Sequence, residues 1–267
     1  MSISQSNCVT NIDRKSILGH DSAWKISNFG VAQFMHNYDP ELLAKIKEKA
    51  LNLKKDFAIH KHLDLTFITG ADRYIPEINQ LINNSKRLDD ISKLIGMKME
   101  SYPLSIVSST ITFMSSADGA ADWHSYGVAV TELIPLSISE QIQGGNLEIY
   151  NGITEEGKAI LESGEVITSN KIIGLDHKCG YSTLGQFIGI LHRTAPISIG
   201  ERVTLVLNLR SQEKSFIDDN RMFYLAADND LNSDWVHELK QDVWNNQLPA
   251  YRKYMHKPDE IGKADLI

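Results

Sequence analysis

From Met97 onward the chain is written in short apolar segments cut by glycine-bearing turns. That punctuation limits its possible folds more than any other feature. The segments lie at about 97–102, 106–115, 127–134, 146–150, 166–173, 183–191, 202–209 and 221–226. They are rich in Val, Ile, Thr and Phe, which suit a pleated, half-buried surface. Gly119, Gly144-Gly145, Gly152, Gly180 and Gly200 fall between them. Eight such strands after a helical stretch predict an α+β, mainly β fold. The expected architecture is a double-stranded β-helix, or jelly roll, with an N-terminal helical layer packed outside.

The helical layer has its own signals. Asp39-Pro40-Glu41 supplies an N-cap, a proline at the first helical position and an acid in the first turn. Leu42, Leu43, Ile46, Ala50 and Leu53 follow at helical spacing. Pro76-Glu77 opens a second helix, with Ile78, Leu81, Ile82, Leu88, Ile91 and Ile95 on its apolar side and Gly96 as its stop. The segment 233–255 reads as a closing helix. Residues 1–20 are polar and expected to be a flexible segment. Residues 21–267 contain no repeat and no long linker, so they are expected to form a single domain.

Composition narrows the partners. Hydrophobic residues make up 42% of the 267, enough for an ordinary core without staples. A net charge of −7 offers no basic face for a nucleic-acid backbone and no polybasic membrane anchor. No apolar run approaches the roughly 18 residues of a bilayer span. Cys8 and Cys179 make no disulfide framework and match no zinc spacing, which favours a reducing, cytoplasmic setting. A small-molecule substrate is expected, and the oligomeric state is not legible.

Two of the nine histidines stand apart. His124 precedes a strand, and His192, 68 residues later, ends one. Arg202 follows after ten more residues, and Thr204 lies at i+2 on the same strand face. A guanidinium buried in a barrel needs an anion, and a carboxylate is its best partner. A metal beside a fixed arginine is what a 2-oxo acid requires: the keto acid chelates, and the far carboxylate pairs with Arg202.

The ordered stretches "WHSYGVAVTELIPLS", "GGNLEIYNG" and "GILHRTAPISIGERVTLVLNLR" resemble the Fe(II)/2-oxoglutarate-dependent oxygenase superfamily over about 106–210. That family carries an H-x-D/E…H iron triad, with an arginine and a hydroxyl residue after the distal histidine. The resemblance implies His124 and His192 as iron ligands, and Arg202 with Thr204 as the 2-oxoglutarate anchor. It makes Gly144-Gly145 the turn before a barrel-closing strand. It implies oxidation of an unactivated C–H bond, with succinate and carbon dioxide as co-products; an amino acid or a derivative is the favoured substrate class. Alternatives are a halogenase-like radical enzyme with an open iron position, and a non-catalytic binding module on the same barrel.

The sequence departs from the family at the acid. Tyr126 occupies the second position after His124, so both side chains share a face if the segment is extended. Four readings stay open: Tyr126 ligates as phenolate; it screens an open position; Asp122 substitutes; or the iron site is lost. Glu132, eight residues on, is roughly 26 Å away along a straight strand and too far to ligate. Gly127 is expected to let the chain bend into the next strand.

The remaining candidates read as ordinary features. His60 and His62 share a face but are expected at the surface. "DNDLNSD" at 228–234 lacks the glycine and glutamate of a calcium loop and reads as a helix N-cap cluster. "LDHKCG" at 175–180 groups Asp176, His177 and Cys179 in a turn that could hold a metal but reads rather as a solvated loop. Trp123 is a pocket wall or core. Arg73, Arg193 and Arg210 are candidates for a substrate carboxylate, with structural pairing favoured for Arg210.

Overall fold

Antiparallel pairing organises the molecule in the computed structural model, which describes residues 8–256 apart from His62 and Asp228. The N-terminal part runs β1 (Cys8–Asp13), α1 (Arg14–Leu18), β2 (Phe29–Met35), α2 (Pro40–Phe57), β3 (Ile59–Lys61), β4 (Leu65–Thr69), α3 (Asn79–Ile82) and α4 (Ser85–Ile95). The strand-rich part follows with β5 (Met99–Ser101), β6 (Ser109–Ser115), β7 (Val130–Ile138), β8 (Leu147–Tyr150), α5 (Thr154–Glu162), β9 (Ile172–Leu175), β10 (Tyr181–Gly185), β11 (His192–Thr194) and β12 (Glu201–Ser211). Three helices end the described residues: α6 (Met222–Ala226), α7 (Trp235–Asp242) and α8 (Leu248–Met255).

Among the described residues, nine strands form one sheet in the order β1-β2-β10-β7-β12-β6-β4-β3, with β5 against the far end of β12. A second sheet of three strands runs β11-β8-β9. The two meet through apolar side chains: Leu133 and Val206 of the large sheet pack with Leu147, Ile149 and Leu175 of the small one, around Phe187.

The period-2 alternation of each central strand decides what lies between the sheets and what lies outside. In β12, Val203, Leu205 and Leu207 join Ile46 and Ala50 of α2 in the outer core. Arg202, Thr204 and Val206 therefore face the other way, toward the small sheet. In β6, Ile111 and Phe113 join the same outer core, so Thr112 and Met114 face inward. The register sets Arg202 opposite Met114 and Thr204 opposite Thr112. A slip of one residue would send Arg202 into the outer core against α2.

Glu132 obeys the same rule on β7. It points outward, fully buried, where Arg87 of α4 donates to it at 2.9 and 2.5 Å and Tyr38 Oη donates at 2.6 Å. The pair fixes α4 to the sheet and removes Glu132 from the space between the sheets.

Several expectations need correction. Residues 8–18 form β1 and α1, with β1 paired to β2, instead of a loose segment; residues 1–7 lie outside the described part. β2, β3 and β4 were not foreseen, nor was α5. The helix opened by Pro76 is broken: a tight turn at Pro76–Ile78 leads into α3, and Asn84, whose side chain accepts from Arg87 N, starts α4 afresh. Gly96 does end α4, with φ +75°. The expected strand at 166–173 begins only at Ile172, after a tight turn at Ser169–Lys171. The expected strand at 183–191 starts at Tyr181 and stops at Gly185, so His192 opens a strand instead of ending one. The apolar run at 221–226 is α6; its residues show no alternation to bury one face of a strand. The closing helix is present as α7 and α8, joined by a wider turn at Val243–Gln247.

Candidate metal and anion site

His124 and His192 come together across the gap in sequence. Each donates its backbone N–H to the other's carbonyl, at 2.9 Å in both directions, and the ring centroids lie 4.4 Å apart. Backbone carbonyls also orient both rings. His124 Nδ1 lies 2.5 Å from Asp122 O, and His192 Nδ1 lies 2.9 Å from Ile190 O. A carbonyl only accepts, so each Nδ1 carries the proton and each Nε2 keeps its lone pair in the neutral ring. His192 Nε2 is buried and unpartnered. Burial, then His124, holds the His192 imidazole well below the usual histidine range, against the Ile190 contact. Phe187 stacks on His192 at 4.4 Å and closes the far side of the ring.

Tyr126 lies against both imidazoles, its ring 5.2 Å from that of His124 and 4.9 Å from that of His192. Burial pushes its phenol up to about 12, opposed by the charge of Arg202. Gly127 beside it has ordinary φ; a Cβ there would meet Asn220 Oδ1 at 2.8 Å, so close approach, not bending freedom, explains the glycine. Asp122 contributes its carbonyl, and its side chain is exposed. Among the described residues, no group of three or more His, Cys, Asp or Glu side chains is placed to hold a metal ion, so no carboxylate joins the two histidines.

Arg202 lines the same cavity as His124, Tyr126 and His192. It is 3% exposed and, among the described residues, has no carboxylate partner. Its guanidinium donates to Gly145 O, to Met114 Sδ at 2.8 Å and to Thr194 Oγ1 at 3.3 Å, while Nε has no partner. Burial pulls it down to about 10, with Tyr126 opposing. Gly144 and Gly145 have φ of +89° and +79°; a Cβ on Gly144 would stand 1.9 Å from Pro196 O. Glycine is therefore required for the turn that presents Gly145 O to Arg202.

The unpartnered Thr204 Oγ1 and Thr112 Oγ1 face each other across the β6–β12 ladder on the inner surface. His177, in the β9–β10 loop, completes the wall with both ring nitrogens buried and unpartnered. The enclosed volume is about 30 Å³, room for roughly two waters. A five-carbon diacid enters only if side chains such as Arg202 and Tyr126 shift.

His124, His192, Tyr126, Arg202 and Thr204 are thus gathered around one cavity, which Arg193 also lines, while the other candidates disperse or pair elsewhere. His60 contacts Thr66 and, at 3.4 Å, Asp64 near the surface; His62 lies outside the described residues. Arg193 pairs with Glu148 and lies over the Trp123 ring, and Arg210 pairs with Glu100 and Asp242. Arg73 lies over Tyr74 at the surface. Asp230 accepts from Asn232 N, Ser233 Oγ and Trp235 Nε1, as a turn before α7 requires. Thr112, Met114 and His177 belong to the site and were not predicted. His177 was visible only as part of a polar loop.

No protein-family model matches the chain, and no curated protein matches it. Solved structures do. The non-haem α-ketoglutarate-dependent carbocyclase SnoK of nogalamycin biosynthesis superposes with a TM-score of 0.52 at 11% identity, over 68% of this chain and 80% of that one. HygX from Streptomyces hygroscopicus, with iron bound, gives 0.51 at 10% over 68% and 82%. EctD from S. alaskensis, with bound Fe, gives 0.50 at 14% over 79% and 86%. At these identities the likeness establishes the fold: a large antiparallel sheet with helices, shared with iron- and α-ketoglutarate-dependent enzymes.

Proposed function

We propose that the chain is a non-haem iron, 2-oxoglutarate-dependent oxygenase acting on an unactivated C–H bond of a small molecule. Its domain is a double-stranded β-helix that takes in the described residues from β1 to α8, in a soluble, cytoplasmic protein. One observation carries the reading: two imidazoles with carbonyl-locked tautomers open on the same buried cavity as a guanidinium that has no carboxylate partner among the described residues.

The donor set suits iron and a 2-oxo diacid. His192 Nε2 is a buried lone pair with no hydrogen-bond donor, which a cation would satisfy. Arg202 Nε and Thr204 Oγ1 are buried and unpartnered, which a carboxylate would satisfy. Iron with bound 2-oxoglutarate supplies the oxidising power; the protein supplies position and a dry cavity. His124 and His192 hold the cation. Arg202 and Thr204 anchor the distal carboxylate and so orient the keto acid. Phe187 excludes water behind His192.

Tyr126 controls the positions that a carboxylate would otherwise fill. Its ring touches both histidines, and its phenol is protonated at neutral pH unless a cation displaces the proton. The test is iron-dependent succinate formation from 2-oxoglutarate, with stoichiometric iron binding measured alongside. Both are expected in the parent and absent in H124A and H192A. A parent that binds iron but never forms succinate, with any candidate amino acid, is a binding module. If Tyr126 ligates, the ferric protein shows a visible charge-transfer band that Y126F loses. Without such a band, Tyr126 only screens the position, and Y126D raises iron affinity because a carboxylate is the better hard ligand.

A further inference from the structure

We propose that His177 is a third recognition group for the distal carboxylate of the 2-oxo diacid, acting beside Arg202 and Thr204 and selecting dicarboxylates over monocarboxylate keto acids. The inference rests on the function proposed above and adds a residue that neither the strand pattern nor the histidine spacing singled out.

Buried polar groups without partners converge on this wall. The cavity holds Arg202 Nε–H, the hydroxyls of Thr112 and Thr204, and both nitrogens of His177, all without partners. A neutral imidazole offers one donor and one acceptor. The threonine oxygens can accept as well as donate, yet none of these buried groups meets another in the fold, and the Arg202 charge lies among them with no carboxylate partner among the described residues. Such groups, buried, cost free energy unless a partner arrives, and the charge calls for an anion. A carboxylate is acceptor-only, with two oxygens and about four lone-pair sites. An amide or an alcohol could hydrogen-bond here but would leave the buried guanidinium charge uncompensated.

The rest of His177's surroundings agrees. Burial, then the neighbouring Arg202 charge, holds its imidazole well below the usual range, so at neutral pH it is an uncharged donor. It does not staple its own loop, because neither nitrogen has a protein partner. The loop is anchored elsewhere, by Gln33 Nε2 donating to Asp176 O at 2.5 Å and by Tyr181 N donating to Lys178 O at 3.1 Å. The side chain is therefore available for a ligand.

The experiment is anaerobic titration calorimetry of the iron-loaded chain with 2-oxoglutarate and with 2-oxobutyrate, which lacks the distal carboxylate. H177A should weaken 2-oxoglutarate binding by roughly ten- to a hundredfold, as for loss of a hydrogen bond to a charged group, and leave 2-oxobutyrate binding unchanged. H177Q keeps one donor and one acceptor and should recover most of the affinity; thermal unfolding of each variant confirms that the fold persists. R202A separates the two levels of inference. If the parent binds no 2-oxoglutarate, or R202A binds it as the parent does, the proposed function fails. If R202A loses it and H177A does not, the function stands and the role of His177 is wrong. Equal loss of both keto acids in H177A also overturns that role, because it marks a disturbed loop instead of a lost carboxylate contact.

Discussion

Arg202 is the residue at which binding and stability should pull in opposite directions, and R202M separates them. Burial without a carboxylate pulls the guanidinium from its ordinary value above 12 to about 10. At ~1.4 kcal/mol per pH unit, that fall corresponds to about 3 kcal/mol of cost in holding the charge in the ligand-free fold. The sign follows from proton binding. The unfolded chain keeps the proton more readily, so the cost is fully present below about 10 and is relieved only as pH rises above it. Methionine removes the charge and roughly fills the volume. It also removes the hydrogen bonds to Gly145 O and Thr194 Oγ1, each worth about 1 kcal/mol, and leaves Gly145 O to find water or another donor. The expected balance at pH 7 is a gain of about 1–2 kcal/mol, within the range seen when buried charges yield to packed apolar side chains. Urea unfolding of the ligand-free chain measures it, and calorimetry should show 2-oxoglutarate binding lost in the same variant. If R202M is instead 2 kcal/mol or more less stable, Arg202 is a tie beneath the Gly144-Gly145 turn, and the case for a retained anion site collapses.

Two further perturbations test other parts of the structure. Burial raises the Asp218 carboxyl to about 6 although Tyr102 Oη donates to it at 2.5 Å. The folded state then holds the proton more tightly than the unfolded one, so stability should fall as pH rises between about 4 and 6; D218N should remove that fall and be about 1–2 kcal/mol more stable at pH 8, and urea titrations that show the same pH profile for parent and variant would refute this. R87M strands Glu132 in the core without its guanidinium partner, still accepting from Tyr38, and should cost about 3–5 kcal/mol, most of it recovered in R87M/E132M; a single variant within 1 kcal/mol of the parent would show that the pair is not desolvated as described.

The sequence itself carried the recognisable half of the site. His124, Arg202 and Thr204 stand at strand boundaries or alternate strand positions, and those are local properties: a period of two and a glycine turn can be read without knowing which strands pair. The same local grammar located the cores of β6, β7, β8 and β12 and the N-terminal cap of α2. It failed where local preference was ambiguous. Met222–Ala226 is apolar and short, and nothing in its own residues separates a strand from a helix packed on one side. The segment from Cys8 looked loose because a polar edge strand earns its place from its partner, β2, not from its own side chains.

Only the tertiary structure decided which residues share the cavity. Thr112 and Thr204 are 92 positions apart in the chain and become neighbours through the β6–β12 register. His124 meets His192 through a bridge that exists only once the small sheet closes over the large one. Glu132 is turned away from the site by the pleat and neutralised by a helix that precedes it in sequence. His177 became significant because both its nitrogens are buried opposite Arg202, and burial is a property of the packed whole. Hydrogen-bond satisfaction and charge compensation are sums over every neighbour in space. A sequence can specify the groups that will need partners, but only the folded contacts show which of them are left without one.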